Sequence, residues 1–307
     1  MEYQLLGKTG IKISRITFGC WEMGGGPWEF TSDQNNIALI HAALENGVTT
    51  FDTAEIYGSG HSEEVLGAAL EGRRQDCVVA TKVSPDHLRA ADVRTAVTAS
   101  LKRLRMDYVD IYYIHWPNAD IAIEETMAEM NKLKQEGLIR AIGVSNFDLD
   151  LLKQALSLGR VDVIQPEYSL LHRAIEDGVL PFCLDNEISV CSYSSIAKGI
   201  LTGAYHLGGK VIKEDDFRAT RRLFLKDHLE KETELIHLIK RVADEKGVSL
   251  SQIAIGWLLH QQGLSSAILG TQSEKHLLDN LKSLDVKLSA EELAVLSDVS
   301  SKVIRSL

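Results

Sequence analysis

The sequence predicts a (β/α)8 barrel, the TIM barrel, with an N-terminal β-hairpin closing its bottom. Three observations support this fold class. Short apolar runs alternate with stretches whose apolar residues have helical spacing, and eight such runs can be counted. The connections are mostly short, which implies parallel strands joined by right-handed crossovers. Three successive runs also end in polar residues of catalytic type. The 307 residues suit one barrel, so we predict a single domain spanning 1–307.

The hairpin comes first, because alternating apolar residues at 3–6 and 11–14 flank a glycine-bearing turn at 7–10. Buried parallel strands should be nearly continuous apolar runs, which predicts the barrel strands at 15–19, 48–51, 78–81, 109–114, 139–144, 161–164, 188–192 and 266–269. Helical spacing predicts helices at 33–46, 63–70, 91–104, 123–135, 149–158, 177–186, 228–246, 250–261 and 274–284. The capping sequence Ser289-Ala290-Glu291-Glu292 predicts a further short helix, followed by a short tail.

Two stretches interrupt this alternation. Residues 20–28 contain Gly24-Gly25-Gly26-Pro27, too many helix and strand breakers for regular structure. Residues 199–227 are too long for an ordinary connection, which predicts a functional loop at the catalytic face. The arginines of this loop either face solvent or cover an anionic ligand; they are Arg218, Arg221 and Arg222.

Charge and composition exclude some classes of function. The formal net charge of −10 argues against binding to a nucleic-acid backbone or to an anionic membrane surface. The four cysteines form no Cys-x-x-Cys pair and adjoin apolar runs, which predicts buried free thiols in a reducing compartment. The N-terminus lacks a basic-then-apolar signal, and no apolar run is long enough to span a bilayer. We therefore expect a cytoplasmic protein.

The polar residues at three successive strand ends are the candidate catalytic group. Asp52 and Tyr57 follow the run at 48–51, Lys82 ends the next run, and His115 ends the third. In a parallel barrel these ends gather on one face. A tyrosine has a pKa near ~10, and a nearby ammonium favours its phenolate and lowers that pKa. Such a set suits proton donation to an oxygen that gains negative charge, with the hydride supplied by a bound donor. Taken singly, each residue also has a structural explanation.

These and other motifs resemble the aldo-keto reductase family nearly end to end. The matching stretches are GVTTFDTAEIYG at 47–58, SEEVLG at 62–67, TK at 81–82, LKRL at 101–104, DYVDI at 107–111, HWP at 115–117, GLIRAIGVSNF at 137–147 and QPEY at 165–168. The resemblance implies an NAD(P)H-dependent reductase of aldehydes, ketones or sugars. Tyr57 is then the general acid/base, Lys82 lowers its pKa, Asp52 is the partner of Lys82, and His115 orients the carbonyl.

The resemblance also implies the residues that hold the dinucleotide. Ser145, Asn146 and Gln165 would bind the nicotinamide carboxamide, Tyr193 would stack on the ring, and the loop after Tyr193 would bind the pyrophosphate. The whole predicted cofactor set is Cys20, Trp21, Asp52, Ser145, Asn146, Gln165, Tyr193, Ser194, Ser195, Ile196, Lys198, Gly199, Leu201, Gly270, Thr271, Gln272, Ser273, His276, Asp279 and Asn280. The predicted substrate pocket is formed by Trp21, Trp28, Tyr57, His115 and Trp116; the aromatic residues could instead close one end of a core.

Two departures from the family pattern stand out. Residues 193–196 read Tyr-Ser-Ser-Ile where relatives commonly have Tyr-Ser-Pro-Leu. At the adenosine end, Gln272 and Ser273 are neutral where many NADP-dependent relatives have lysine or arginine, although Lys275 and His276 remain as partners for a 2′-phosphate. NADP(H) is therefore only narrowly preferred, and NAD(H) or dual use stays open.

Two other classes of function remain as alternatives. Some family members resemble regulatory subunits that bind the cofactor and sense redox state with little turnover. A metal-dependent sugar isomerase is the third reading, but the sequence has no His-Glu-x-x-His and its histidines are scattered, so we expect no catalytic metal. The sequence leaves open the physiological substrate, the direction of reaction and the oligomeric state.

Overall fold

The structure, a computed structural model, describes residues 1–26, 28, 31–214 and 216–307. Pro27 of the predicted glycine-rich loop and Asp215 of the predicted long loop lie outside the described residues. The described chain divides into two compact units. The first comprises Met1–Pro166, Ile175–Tyr193 and Gly263–Glu274, and the second comprises Glu167–Ala174, Ser194–Gln262 and Lys275–Leu307. The single domain over 1–307 stays a prediction.

The first unit contains a closed barrel of parallel strands. An antiparallel hairpin precedes it, formed by β1 (Tyr3–Leu5) and β2 (Lys12–Ser14). The barrel strands are β3 (Ile16–Gly19), β4 (Thr50–Asp52), β5 (Val78–Val83), β6 (Val109–Ile114), β7 (Ile139–Ser145), β8 (Val163–Gln165), β9 (Ser189–Ser192) and β10 (Leu264–Gly270). Each strand pairs with the next one along the chain, and β10 pairs back onto β3. The predicted TIM barrel is therefore confirmed.

Helices follow the strands at the positions that the spacing predicted. The first unit holds α1 (Asp33–Glu45), α2 (His61–Ala69), α3 (Ala90–Leu104), α4 (Ile123–Gln135), α5 (Leu149–Leu158) and α6 (Val179–Asp185). The remaining helices are α7 (Lys226–Lys246), α8 (Leu250–Leu259), α9 (Glu274–Leu281) and α10 (Ala290–Ser306), which lie in the second unit except for the first residue of α9. None of the described helices is both long enough and apolar enough to cross a membrane.

The hairpin seals the amino-terminal end of the barrel. Leu6, Ile11 and Ile13 are buried in one cluster with inward-facing strand residues such as Val78 and Ile111. Gly7 in the turn has a φ of +47°, and a Cβ atom there would lie 3.0 Å from the carbonyl oxygens of the residues that precede β8 and β9. The turn thus lies against the start of those strands. Burial of the hairpin's apolar residues holds it there, and the predicted closure of the bottom is confirmed.

Local sequence signals at helix ends are realised in the structure. Ser249 and Gln252 form a capping box at α8, and Ser289 and Glu292 form another at α10. The predicted length of the last helix was wrong, because α10 continues for 17 residues. Val303, in the predicted tail, is buried within the second unit.

Two further expectations can be compared with the described residues. Residues 20–28 were predicted to be irregular, but a short 3₁₀ turn forms at Trp21–Gly24. The long segment 199–227 includes 3₁₀ turns at Ala197–Thr202 and Arg222–Phe224. All four cysteines are free and buried, as predicted.

Candidate active site

Three side chains meet at the carboxyl ends of β4 and β5. The ammonium Nζ of Lys82 lies 2.5 Å from Oδ1 of Asp52, 2.7 Å from the carbonyl oxygen of Thr53 and 3.2 Å from the hydroxyl of Tyr57. Tyr57 begins a short turn, Tyr57–Gly60, that follows β4. The ammonium therefore has three oxygen acceptors, which matches the number of its N–H donors.

Burial and charge oppose each other in this triad. Burial by itself would lower the pKa of Lys82, but the attraction and hydrogen bonds of Asp52 and Tyr57 together outweigh it and the pKa is raised, so Lys82 stays charged. Burial raises the pKa of Tyr57 above its ordinary value, and the nearby Lys82 offsets only part of that increase. Lys82 thus lowers the pKa of Tyr57, as predicted, but the net shift is upward because loss of hydration disfavours the phenolate by more than the ammonium favours it.

His115 faces Tyr57 from the end of β6. The centroids of the two rings are 5.8 Å apart, with the ring planes 79° to each other. Burial, with a smaller repulsion from Lys82, lowers the pKa of His115 to about 3. Its Nδ1 atom is buried and has no hydrogen-bond partner among the described residues. The imidazole is thus neutral at pH 7 and can orient a carbonyl by hydrogen bonding but not by full charge.

A second polar group occupies the ends of β7, β8 and β9. Ser145 Oγ donates to the carbonyl oxygen of Gln165, and Asn146 Nδ2 donates to the carbonyl oxygen of His115. Tyr193 donates its hydroxyl proton to Oδ1 of Asn146 over 2.7 Å. Gln165 Nε2 donates to Oδ2 of Asp52 over 2.7 Å. This last bond joins the side-chain amide of Gln165 to Asp52 of the candidate catalytic group.

Aromatic rings border Tyr57. Trp21 lies with its ring centroid 6.3 Å from that of Tyr57 and 5.1 Å from that of Trp28, edge to face. Trp116 adjoins His115 and is 47% exposed. A mostly apolar wall with a few polar groups is typical of a small-molecule site.

A close backbone contact fixes the loop that carries Tyr57. A Cβ atom on Gly24 would lie 2.6 Å from the carbonyl carbon of Tyr57. A Cβ atom on Gly58 would collide with the carbonyl oxygen of Gly24. The turn Trp21–Gly24 therefore packs directly on the turn Tyr57–Gly60, which only glycine permits.

Sequence comparison agrees with this geometry. The model of the aldo/keto reductase family matches residues 15–301, which include the whole barrel and the four candidate catalytic residues. The chain belongs to the aldo/keto reductase family.

Three relatives match this aldo/keto reductase over most of its length. It is 34% identical over 328 residues to the NADH-specific methylglyoxal reductase of Escherichia coli (strain K12), covering 98% of each chain. It is 33% identical over 308 residues to a probable voltage-gated potassium channel subunit beta of Oryza sativa subsp. japonica, covering 93% of this chain and 92% of the relative. Among solved structures, an aldo/keto reductase from Klebsiella pneumoniae in complex with NADP and acetate has a TM-score of 0.79 and 32% identity, with coverage of 98% and 96%.

The predicted cofactor residues of this aldo/keto reductase fall in both units. In the first unit, Gly270 pairs with Gly19 beside Cys20 and Trp21, and Thr271 accepts a hydrogen bond from the backbone N–H of Ser273. Gln272 donates a long hydrogen bond of 3.5 Å to Thr31. The structure thus gathers the predicted residues of this unit around the carboxyl ends of the strands; they are Cys20, Trp21, Asp52, Ser145, Asn146, Gln165, Tyr193, Gly270, Thr271, Gln272 and Ser273.

In the second unit, the loop after β9 is held in a tight turn. Lys198 Nζ donates to Glu167 Oε1 and to Ser194 Oγ, both at 3.0 Å. Ser194, Ala197 and Lys198 have φ near +50°. Ser195, Ile196, Gly199 and Leu201 belong to the same loop. Backbone in this conformation can present successive N–H groups to an anion.

Three predicted cofactor residues on α9 have different environments. His276 is exposed, whereas Asn280 is buried. The carboxylate of Asp279 accepts hydrogen bonds of 2.7 Å from Ser249 and from Gln252, at the start of α8. Asp279 therefore stabilises the N-terminus of α8. Its predicted contact with a cofactor stays a prediction.

Sequence reasoning missed three groups at this site. The carbonyl oxygen of Thr53 accepts from Lys82, and a backbone acceptor has no signature in the sequence. Tyr113 hydrogen-bonds to Gln165 inside the barrel, and its position in β6 could have suggested an inward hydroxyl. Glu22 places a carboxyl beside Gly270. The acidic residue directly after Trp21, which was predicted to bind the cofactor, could have indicated a carboxyl at this site.

Proposed function

We propose that this aldo/keto reductase reduces an aldehyde or ketone, or oxidises the corresponding alcohol, with a nicotinamide dinucleotide as cosubstrate. The observation that carries the proposal is the Lys82 ammonium held between Asp52 and Tyr57, with a neutral imidazole facing the phenol. The family match and the relatives that use NADH or bind NADP support it.

The residues at the strand ends suit a nicotinamide. Asn146 and Gln165 offer amide groups of the kind that pair with a carboxamide, and the partly exposed ring of Tyr193 offers a surface for stacking. The loop 194–201 offers Lys198 and a tight backbone turn to a pyrophosphate. Residues 270–280 would hold the adenosine end. Bound there, the reduced dinucleotide supplies the hydride.

Tyr57 is proposed as the general acid. Its hydroxyl donates a proton to the carbonyl oxygen as negative charge develops there, and the resulting phenolate is stabilised by the ammonium of Lys82. Asp52 keeps that ammonium charged and in place. Neutral His115 donates or accepts one hydrogen bond and so orients the carbonyl. Trp21, Trp28 and Trp116 would line the pocket for the substrate.

The cofactor is proposed to be NADP(H) by a narrow margin, with NAD(H) or dual use open. Neutral Gln272 and Ser273 weaken the argument for a 2′-phosphate site, and the Escherichia coli relative is described as specific for NADH. Titration of protein fluorescence with NADPH and with NADH would measure the preference. A tenfold ratio of dissociation constants corresponds to about 1.4 kcal/mol.

The Tyr57→Phe variant tests the reductase proposal. We expect it to bind either dinucleotide within about twofold of the wild type and to lose roughly 10²- to 10⁴-fold in kcat, because only the transferable proton is removed. The assay should use a panel of aldehydes, ketones and sugars with both cofactors. Wild-type turnover in the variant would exclude Tyr57 as the acid.

The similarity to the plant channel subunit favours one alternative, a regulatory protein that binds the cofactor with little turnover. The same panel separates the two functions. Tight binding of the dinucleotide by the wild type with negligible turnover on every carbonyl would support the regulatory alternative.

A further inference from the structure

Glu22 places a carboxyl group at the mouth of the barrel. It belongs to the turn Trp21–Gly24, which begins two residues after the end of β3. Gly19 of β3 pairs with Gly270 of β10, so these two strand ends are adjacent. A Cβ atom on Gly270 would lie only 2.5 Å from the carboxyl carbon of Glu22. The carboxyl therefore rests on Gly270, in the space that any larger residue there would fill.

Within the described residues, this carboxyl has no cationic partner. No lysine or arginine of the described chain forms an ion pair with it, and its own backbone N–H is the group that stabilises its charge. Burial raises the pKa of Glu22 to about 7. Its charge is also close enough to raise the pKa values of Tyr57 and Cys20. Glu22 thus belongs electrostatically to the active site.

The charged groups around Glu22 are paired with one another or exposed. The turn Trp21–Gly24 packs against the turn Tyr57–Gly60 and against α2. Glu63 of α2 is bound by Arg103 and Thr81, and His61 is bound by Asp33. The other titratable groups on the adjoining elements are Cys20, Asp52, Tyr57, Lys82 and the exposed Glu64 and Glu274.

The position of Glu22 matters because it lies between two parts of the proposed cofactor site. Cys20 and Trp21 precede it in the chain, and Gly270, which opens the segment 270–273, lies beneath its carboxyl. A dinucleotide that contacts both parts brings two negatively charged phosphates and several ribose hydroxyls. An ionised carboxylate would repel the phosphates, whereas a protonated carboxyl can donate a hydrogen bond to an oxygen of either group.

We propose that Glu22 is a cofactor-binding residue that carries a proton when the dinucleotide is bound, so that binding takes up a proton from solvent. The proposal rests on the proposed function, because it requires that a dinucleotide bind at this mouth. It assigns Glu22 a part in affinity rather than in the proton transfer made by Tyr57.

The pH dependence of NADH affinity tests this assignment. NADH is the probe because it lacks the 2′-phosphate, whose own ionisation near pH ~6 would confuse the result. For the wild type we expect a dissociation constant that is flat below pH 6.5 and rises toward tenfold per pH unit above about pH 7, the limit for one linked proton. The Glu22→Gln variant should keep the low-pH affinity up to pH 9.

Glu55→Gln is the matched control. Glu55 follows the same strand end as Asp52, but its carboxylate already accepts from the backbone N–H of Ser84 and from His87. This control should keep the wild-type slope. An unchanged slope in Glu22→Gln, or a flat profile in the wild type, would overturn the assignment.

Calorimetry provides a second measurement. NADH titrations at pH 8 in two buffers of different ionisation enthalpy should show uptake of close to one proton by the wild type and none by Glu22→Gln or Glu22→Ala. Equal uptake in both variants would contradict the proposal. Failure of the wild type to bind either dinucleotide at any pH would reject the proposed function itself, whereas binding without proton uptake rejects only the part assigned to Glu22.

Discussion

The Nζ atom of Lys82 lies 3.2 Å from the hydroxyl oxygen of Tyr57, and the side chain of Lys82 is fully buried. The same ammonium neutralises Asp52, whose side chain is 5% exposed. One cation thus contacts both a buried carboxylate and the proposed general acid. Removing it should affect stability through Asp52 and turnover through Tyr57, and the two effects can be separated.

The Lys82→Met variant should lose about 3–5 kcal/mol of unfolding free energy, because it leaves the Asp52 carboxylate buried without its partner. The double variant Asp52→Asn/Lys82→Met should recover most of that loss, since no charge is then buried. Urea unfolding would measure both. Both variants should lack turnover, because both have lost the ammonium beside Tyr57. Equal destabilisation in the single and double variants would show that the pair is not coupled.

Neutral His115 makes stability depend on pH. Its pKa is about 3 in the folded state, below its ordinary value of 6.5. The contribution of His115 to the free energy of unfolding is therefore complete above about pH 6.5 and is lost as pH falls toward 3. We expect the wild type to lose up to about 1.4 kcal/mol per pH unit more than His115→Gln between pH 6 and pH 5. Parallel unfolding curves for the two proteins across this range would refute the prediction.

Glu232 in α7 should have the opposite dependence. Its side chain is fully buried, both carboxyl oxygens lack hydrogen-bond partners among the described residues, and His206 Nε2 is 3.6 Å away. Burial raises its pKa from 4.5 to about 8. Its contribution to stability is therefore complete below about pH 4.5 and is lost as pH rises through about 8.

The Glu232→Gln variant should consequently be more stable than the wild type by roughly 2–4 kcal/mol at pH 8, with a smaller gain at pH 5.5. Thermal and urea unfolding at both pH values would measure the gain. A loss of stability at pH 8 would mean that the ionised carboxylate has a partner in solution.

Gly58 should not tolerate a side chain. Its φ is +60°, and a Cβ atom would lie 2.9 Å from the carbonyl carbon of Gly24 as well as colliding with its oxygen. Gly72→Ala is the control, since Gly72 has a φ of +75° but no described atom within 4 Å of its Cβ position. Both variants should be destabilised by the left-handed backbone conformation, and Gly58→Ala should lose about 1–3 kcal/mol more unfolding free energy than Gly72→Ala. It should also reduce kcat, whereas Gly72→Ala should leave kcat unchanged.

Most of the fold could be predicted from the sequence, because barrel strands that are buried on both faces must be nearly continuous apolar runs. The runs around Val109 and Ile139 show this directly. The length of α10 was missed because Ser300 interrupts its apolar pattern, yet that side chain is buried and donates to the carbonyl oxygen of Leu170. A polar residue that finds a buried acceptor cannot be recognised from sequence alone.

Some features of the candidate site could likewise be predicted from the sequence, and others could not. Strand order brings Asp52, Lys82 and His115 together, so their proximity follows from topology. The net shift of the Tyr57 pKa does not, because it depends on the balance between burial and one ammonium. The contact between Glu22 and Gly270 depends on how a loop folds after β3, which no periodicity in the sequence describes.

The hairpin formed by β1 and β2, which seals the amino-terminal end of the barrel, has a practical consequence. Since Leu6, Ile11 and Ile13 fill the amino-terminal end of the barrel, the interior offers substrates no route from that side. Changes of selectivity must then be engineered in the segments that follow the strands. Anchoring the enzyme to a solid support through its first residues should leave the opposite, reactive entrance unobstructed.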